Sequence, residues 1–301
     1  MSRILIKKSV FLVGAAIALT AFLLVAHYRR SETPRSGRTG GKTIFSEACS
    51  AWIVSLTLPS SQILHLLGAE KSVVGIDRYS RETAPEFHNK EVISQNAVFS
   101  LEKILHLDPD LVIVWWYQEQ LIESLQRFGI NHLTYHPQKI EDVFLLAERL
   151  GRFLGCEYRA RRLVEELKDR LDGIRVSSTG QTPLVYFELN TPFKTAGPGT
   201  FTDQIIKISG GRNLGALFKM DYPLISAEQI IKSDPDIIIF TGVSGSREDI
   251  IGRPGWTGIK AVRNGKVFRI PNELITPGPK AVEGVELISR IISDWSQDAI
   301  P

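Results

Sequence analysis

The chain has 301 residues, of which 43% are hydrophobic and 23% are charged, a composition typical of a globular protein and not of a disordered one. A formal net charge of +3 is too small to indicate nucleic-acid binding. The two cysteines, Cys49 and Cys156, are too few and too far apart for a zinc ribbon or a disulfide-rich scaffold. One disulfide between them and two buried thiols both fit the sequence.

Residues 1–28 have the pattern of an export signal or a membrane anchor. Three basic residues within the first eight positions precede an uninterrupted apolar run over residues 10–26. The run is long for the core of a signal peptide and ends on a poor cleavage pattern, so a retained anchor is slightly favoured over a cleaved signal. Either form predicts export, with the rest of the chain on the periplasmic or extracellular face of the cytoplasmic membrane.

Residues 29–48 are predicted to be a linker, because they are rich in Gly, Ser, Pro, Thr and charge and offer little to bury. Cys49 does not follow a small-residue lipobox, so a lipoprotein is not predicted.

From residue 49 onward, short aliphatic runs alternate with segments of helical periodicity. A helix is predicted over residues 60–67, between the first two strands. Alternation of this kind is typical of an α/β fold with a mostly parallel sheet, and we assign residues 49–139 to a first lobe. The predicted strands are 52–56, Val73–Ile76, Leu111–Trp115 and His132–Tyr135.

One segment of this pattern returns later in the chain. Residues 100–115 read SLEKILHLDPDLVIVW and residues 226–241 read SAEQIIKSDPDIIIFT. Each copy has a helix that begins at Ser-x-Glu, an Asp-Pro-Asp turn that stops the helix, and a buried strand. The repeat predicts a second lobe of similar design, over residues 179–301.

Residues 140–178 lie between the two lobes and carry apolar residues at helical spacing, interrupted at Gly155. The stretch after Gly155 is long, charged and amphipathic. We therefore predict a connector in which a single long helix joins the lobes.

These segments together resemble the helical-backbone class of periplasmic binding proteins, which serve ABC importers for cobalamin, ferric siderophores and haem. The resemblance implies two Rossmann-like lobes joined by one long helix, with the ligand in the cleft between them. Residues 185–214 are similar to the cobalamin-binding members in particular. The other segments that carry the resemblance are IVSLTLPSSQILHLLGA (53–69), SLEKILHLDPDLVIVW (100–115), SAEQIIKSDPDIIIFTG (226–242), GRPGWTGIKAVRNGKVFRIP (252–271) and PGPKAVEGVELI (277–288).

The function that the resemblance implies is capture of a corrinoid and its delivery to a permease dimer. A ferric siderophore or haem is the alternative ligand, and a membrane-anchored sensor or interaction domain is the alternative class. The sequence has no nucleophile elbow, P-loop or dinucleotide fingerprint, so no enzyme and no cofactor are predicted. The histidines are scattered over different elements, so no metal site is predicted.

Glu102 and Glu228 each stand two residues after the Ser that begins a repeated helix. A carboxylate in the first turn of a helix favourably meets the helix dipole, which would be a purely local role. The resemblance implies a further role, in which one such Glu on each lobe docks onto arginines of the permease dimer.

Ligands of open α/β sheets bind beyond the carboxyl ends of the strands, and several aromatic residues of this chain follow predicted strands. Flat apolar side chains suit a large planar ligand. For Trp115, a place in the core is an equal alternative. The predicted ligand-binding residues are Pro59, Ser60, Tyr79, Trp115, Trp116, Tyr117, Phe193 and Tyr222.

Three further expectations concern the same cleft. Residues 272–280 are predicted to form a lid from the second lobe. Trp256 is assigned to the body of that lobe. The siderophore alternative is supported by basic residues in the predicted cleft loops, namely Arg78, Arg81, Lys194 and Lys280.

Overall fold

The computed structural model describes residues 51–95, 98–174 and 182–298. The predicted leader, the linker and Cys49 lie outside these residues, whereas Cys156 is buried just before a helix. Among the described helices, none combines the length and the apolar character needed to cross a membrane.

The elements alternate along the chain. The strands are β1 (Ile53–Ser55), β2 (Val73–Ile76), β3 (Glu91–Val92), β4 (Ser94–Gln95), β5 (Val98–Phe99), β6 (Leu111–Trp115), β7 (His132–Tyr135), β8 (Leu184–Glu188), β9 (Arg212–Asn213), β10 (Ile237–Thr241) and β11 (Val267–Ile270). The helices are α1 (Leu58–Leu66), α2 (Arg78–Thr83), α3 (Leu101–Leu107), α4 (Glu119–Arg127), α5 (Ile140–Phe153), α6 (Glu157–Asp172), α7 (Phe201–Ile208), α8 (Ala227–Ser233), α9 (Arg247–Ile251), α10 (Lys260–Arg263) and α11 (Ala281–Asp298).

Two parallel sheets organise these elements. The first has the strand order β3-β2-β1-β6-β7 and the second has the order β11-β10-β8-β9. Read from its other edge, the second sheet has the order β9-β8-β10-β11. These strands correspond to β2, β1, β6 and β7 of the first sheet, and β3 has no counterpart in the second. The α/β class and the two-lobed architecture predicted from the sequence are therefore confirmed.

The central strands are the apolar runs that the sequence marks most clearly. Every residue of β10 is buried, as are the first four of β6, because helices cover both faces of each sheet. The bounds of β2, β6 and β7 are those predicted from the sequence.

The repeated Asp-Pro-Asp turns have the same structural role in both lobes. The first aspartate of each turn, Asp108 or Asp234, ends its helix in the left-handed conformation, with φ of 45° and 46°. The second aspartate of each turn accepts a hydrogen bond from the beginning of the neighbouring strand. Asp110 Oδ2 accepts from the amide of Trp52, just before β1, at 2.7 Å. Asp236 Oδ2 accepts from the amide of Leu184, the first residue of β8, at 2.8 Å. The turn thus fixes the register between two central strands, in addition to stopping the helix.

The proposed connector, residues 140–178, contains the two helices α5 and α6, which are separated at Gly155 with φ of 67°. The longer helix, α6, has 16 residues and packs against the C-terminal helix α11. A bidentate ion pair joins them, with both Arg170–Glu286 contacts at 2.9 Å. The amide of Ile140, at the start of α5, donates to Gln204 Oε1 of α7 at 2.6 Å, so α5 also contacts the second lobe.

Candidate functional site

A cavity of about 500 Å³ lies between the carboxyl ends of the two sheets, and we call it the cleft cavity. Both lobes contribute to its walls, as expected for an α/β protein whose ligand binds beyond the strand ends. Its lining residues are Trp115, Trp116, Tyr117, Pro137, Leu189, Asn190, Thr191, Lys194, Phe201, Thr202, Tyr222, Asn272, Ile275, Thr276 and Pro277.

The first-lobe wall is aromatic. β6 ends at Trp115, and the next two residues, Trp116 and Tyr117, turn their rings into the cavity. The rings pack against each other at centroid distances of 5.9 Å for the two tryptophans and 4.9 Å for Trp116 with Tyr117. Behind them, Tyr135 packs on Trp115 at 5.6 Å and His136 stacks on Trp116 at 4.4 Å. The wall is therefore a preformed stack rather than a set of separate side chains.

The second-lobe wall comes from the loop after β8, residues 189–194, which we call the cleft loop. The amide of Leu189 donates to the carbonyl of Lys194 at 2.9 Å and closes this loop. The Lys194 ammonium lies 5.8 Å from the centre of the Tyr222 ring, at the distance of a cation–π contact. Of the described residues that line the cleft cavity, Lys194 alone bears a charge.

A third wall is the segment after β11, which supplies Asn272, Ile275, Thr276 and Pro277, part of the predicted lid. Tyr135 Oη donates to the Pro277 carbonyl at 2.8 Å, so this second-lobe segment is bonded to the end of β7 in the first lobe. Burial and the charge of Asp142 raise the pKa of Tyr135.

A second cavity of about 420 Å³, the side cavity, shares Trp115 and Tyr117 with the cleft cavity. At its base Asp77 caps α2 and accepts from the Ser80 amide at 2.9 Å. Burial raises the pKa of Asp77. Burial, followed by the charge of Asp77, also raises the pKa of Tyr117. The side cavity is lined by Leu56, Asp77, Arg78, Tyr79, Glu82, Ser94, Phe99, Trp115, Tyr117 and Gln118.

Five of the aromatic residues predicted for the site lie in these two cavities. Trp115, Trp116, Tyr117 and Tyr222 line the cleft cavity. Tyr79 lines the side cavity, and its hydroxyl accepts from Asn272 Nδ2 at 3.0 Å, so it reaches the second lobe.

The positions of Pro59 and Ser60 correct the prediction that they line the cleft. Ser60 is fully buried, and its hydroxyl lies 2.6 Å from that of Ser55 and 2.7 Å from that of Thr57. Pro59 is also buried, and Gly278 of the second lobe packs closely against it. A Cβ atom added to Gly278 would lie 3.2 Å from Pro59 Cα. Both residues belong to the packed start of α1 and its contact with the second lobe.

Phe193 also differs from its prediction. Its ring packs within the second lobe, 4.8 Å from the Arg253 guanidinium and 6.3 Å from the Trp256 ring, and is not part of either cavity wall. Its backbone has φ of 66°, and its side chain packs against the hydrophobic core of the second lobe. Trp256 is fully buried, as its assignment to the lobe body requires.

The four basic residues proposed for the cleft separate into two groups. Lys194 lines the cleft cavity and Arg78 lines the side cavity. Arg81 and Lys280 line neither.

Glu102 and Glu228 are exposed on the first turns of α3 and α8. The serines before them cap these helices through the amides of Lys103 at 3.3 Å and Gln229 at 3.2 Å. Gln229 Oε1 also accepts from the Ser226 amide at 2.8 Å, which completes a capping box without Glu228. Within the described part of the chain, no hydrogen bond or ion pair engages either Glu carboxylate, so both remain available for an external partner.

Some residues at or beside the cleft cavity were not predicted from the sequence. Asn190 and Thr191 follow β8 directly, and the strand-end rule applied to that strand would have found them. Tyr135 ends β7 in the same way. Pro137, Phe201 and Thr202 carry no such signal. Among the described residues, no group of three or more His, Cys, Asp or Glu side chains is placed to hold a metal ion.

Comparison with known proteins gives a consistent result. A family model described as periplasmic binding protein matches residues 53–274. The uncharacterized ABC transporter substrate-binding lipoprotein YvrC of Bacillus subtilis is 28% identical over 253 residues, which cover 80% of this chain and 79% of that protein.

The vitamin B12-binding protein of Vibrio cholerae is 23% identical over 241 residues, covering 78% of this chain and 87% of that protein. Among solved structures, the periplasmic heme-binding protein RhuT of Roseiflexus superposes with a TM-score of 0.73 at 22% identity, covering 82% of this chain and 100% of that one. At this identity the superposition supports the fold alone.

Proposed function

We propose a function from the premise that this chain belongs to the periplasmic binding protein family, whose members are substrate-binding transport proteins. The chain is a periplasmic solute-binding component of an ABC transporter, of the class that includes vitamin B12-, iron- and haem-binding proteins. Within that class, we propose that its ligand is a corrinoid, bound in the cleft cavity and delivered to the permease dimer.

The observation that carries the corrinoid proposal is the chemistry of the cleft walls. Three adjoining aromatic rings on one side face a largely uncharged wall on the other, with Lys194 the one charged group among the described lining residues. A corrinoid has a broad macrocycle edged with neutral amides, which suits aromatic faces and a few hydrogen-bonding groups. The side cavity shares Trp115 and Tyr117 with the cleft cavity, so a ligand larger than either could extend over both.

Haem or a ferric siderophore is the second candidate, and Lys194 is the observation that favours it. A cation beside Tyr222 offers an ion pair to a propionate or a catecholate, and Arg78 offers another in the side cavity. A structural relative from Roseiflexus is named for haem, whereas a sequence relative from Vibrio cholerae is named for vitamin B12. One cation per cavity is a weak match for a dianionic ligand, so we place the corrinoid first.

We further propose that residues 1–28 keep the protein at the extracytoplasmic face of the membrane. The apolar run over residues 10–26 supports this attachment, and the relative in Bacillus subtilis is named a lipoprotein.

A titration of the protein from about residue 43 onward tests the ligand proposal. Cyanocobalamin, ferric haem and a ferric catecholate siderophore are added separately, and binding is followed by calorimetry and by tryptophan fluorescence, since Trp115 and Trp116 line the cleft. We expect saturable binding of one cyanocobalamin per chain, and much weaker binding of the two anionic ligands. Tighter binding of haem or the siderophore would replace the corrinoid, and no binding by any ligand would favour the anchored interaction domain.

A further inference from the structure

A buried ion pair lies directly beneath the second-lobe wall of the cleft. Glu188, the last residue of β8, is fully buried, and the Arg253 side chain that meets it is 13% exposed. Arg253 binds both carboxylate oxygens, at 2.5 Å and 2.8 Å, and the Tyr186 hydroxyl donates to the same carboxylate at 2.9 Å. A buried charge is tolerated when its hydrogen-bonding groups are satisfied in this way.

The same carboxylate holds the end of the cleft loop. Glu188 Oε2 accepts from the Phe193 amide at 3.0 Å. Phe193 has φ of 66°, a backbone conformation that is strained for a bulky residue and persists only where its surroundings impose it. Its ring lies 4.8 Å from the Arg253 guanidinium, which lies 4.7 Å from Trp256 on another side. The hydrogen bond from the Phe193 amide and the stacking contact of its ring thus both link the strained residue to the Glu188–Arg253 pair.

This arrangement brackets the wall that a ligand would meet. Glu188 precedes the cleft loop and Phe193 lies near its end. Between them, Leu189, Asn190 and Thr191 line the cavity together with Lys194. The Phe193 carbonyl accepts from the Ile225 amide at 3.0 Å, and this bond attaches the segment that carries Tyr222. Both parts of the second-lobe wall are therefore bonded to Phe193, and the segment with Tyr222 is also held by the Thr195 amide, which donates to the Pro223 carbonyl at 3.0 Å.

We infer that Glu188 and Arg253 are positioning residues for ligand binding, although neither lines a cavity. They fix the conformation of the cleft loop and so preorganise the second-lobe wall, which reduces the entropy that binding would otherwise lose. Arginine suits this place better than lysine, because its planar fork can bind both carboxylate oxygens and stack on two rings at once. This inference rests on the proposed ligand-binding role of the cleft.

The alternative is that the pair only stabilises the lobe, and a double variant separates the two roles. Glu188→Gln with Arg253→Met removes both charges together and leaves no unpaired buried charge, an exchange that often costs little stability. We expect cyanocobalamin affinity to fall about tenfold. In the absence of ligand, the amides of Phe193 and of the other non-proline residues of the cleft loop should exchange hydrogen faster, whereas those of residues 115–117 should be unchanged. Arg253→Lys should give an intermediate affinity.

A control is available in Arg170 and Glu286, another bidentate Arg–Glu pair, which joins α6 to α11. Arg170→Met with Glu286→Gln should leave both the affinity and the exchange of the cleft loop unchanged. If the Glu188/Arg253 double variant binds like the wild type, or if its cleft loop exchanges like that of the wild type, the inference is overturned. If the wild type itself does not bind cyanocobalamin, the corrinoid proposal fails, while the exchange experiment still decides whether the pair positions the loop.

Discussion

The two lobes share one backbone plan and build their halves of the cleft differently. β6 and β10 are matching central strands, each preceded by the same Asp-Pro-Asp turn and the same bond to the neighbouring strand. β6 runs directly into the aromatic wall, whereas β10 ends at Thr241 and is followed by a 3-10 turn that does not line the cavity. In the second lobe the wall comes from loops after β8 and β11 instead. The repeated residues thus serve folding, and the strand ends that are not repeated form the candidate site.

Glu102 and Glu228 are the exception, because they are repeated and exposed, and the helix dipole is the one local interaction we assign to them. We propose that each contacts one subunit of the permease dimer, a two-fold partner that would require equivalent groups on both lobes. Glu102→Gln together with Glu228→Gln should abolish uptake in cells that carry the transporter, the largest effect expected here. Cyanocobalamin affinity of the purified variant should be unchanged, since neither residue lines a cavity.

The control for this experiment neutralises two other exposed carboxylates, one on each lobe. Glu123→Gln on α4 with Glu248→Gln on α9 changes the net charge equally and should leave uptake intact. Each single variant at Glu102 or Glu228 should reduce uptake less than the pair. Normal uptake by the Glu102/Glu228 variant would refute docking through these carboxylates.

Aromatic residues on the first-lobe and second-lobe walls of the cleft cavity allow the contribution of each lobe to ligand binding to be measured. Trp116→Ala should weaken ligand binding by about 2 kcal/mol, or roughly thirtyfold, because contacts with Tyr117 and His136 already hold the Trp116 ring in place. Tyr222→Ala should weaken it by about 1 kcal/mol, since this side chain is 47% exposed and less fixed. Calorimetric titration measures both changes.

Trp52→Ala is the matched control, because Trp52 is 56% exposed and lines neither cavity. It should leave the affinity unchanged. A larger loss from Tyr222→Ala than from Trp116→Ala would mean that the second-lobe wall, and not the aromatic first-lobe wall, dominates recognition.

The fold was largely predictable from the sequence because its signals are local. Apolar runs such as Leu111–Trp115 and the duplicated Asp-Pro-Asp turns mark central strands wherever they occur. The strand-end rule placed Trp116 and Tyr117 in the cleft for the same reason, since a parallel sheet gathers its carboxyl ends at one edge.

What the sequence could not indicate depends on tertiary contacts. Phe193 also follows a strand, yet a left-handed backbone and the Arg253 guanidinium direct its ring into the lobe. The pairing of Glu188 with Arg253 joins residues 65 positions apart, and no spacing rule indicates it. Ser60 lies at the predicted turn, but its side chain is buried because its hydroxyl is hydrogen-bonded to those of Ser55 and Thr57.

The smallest expected effect concerns the caps that follow the second strand of each lobe. In the first lobe Asp77, which follows β2, caps the next helical turn by accepting from the Ser80 amide at 2.9 Å. In the second lobe Asn213, at the end of β9, does the same by accepting from the Gly215 amide at 3.0 Å. Burial raises the pKa of Asp77, a change that the neutral Asn213 cannot undergo. Asp77→Asn would give the first lobe the cap of the second, because Asn and Asp cap helices about equally well.

The sign of the effect follows from proton linkage. The folded state holds the Asp77 proton more tightly than the unfolded state, so this carboxyl favours folding below its ordinary pKa, and that contribution is lost as pH rises through the raised pKa. Asp77→Asn should therefore become more stable relative to the wild type as pH rises from about 4 to 7. Urea unfolding at several pH values measures the difference, and parallel stability curves would contradict it. Asp249→Asn should give the opposite slope, because hydrogen bonds from Ser246 lower the pKa of Asp249 and favour folding at neutral pH.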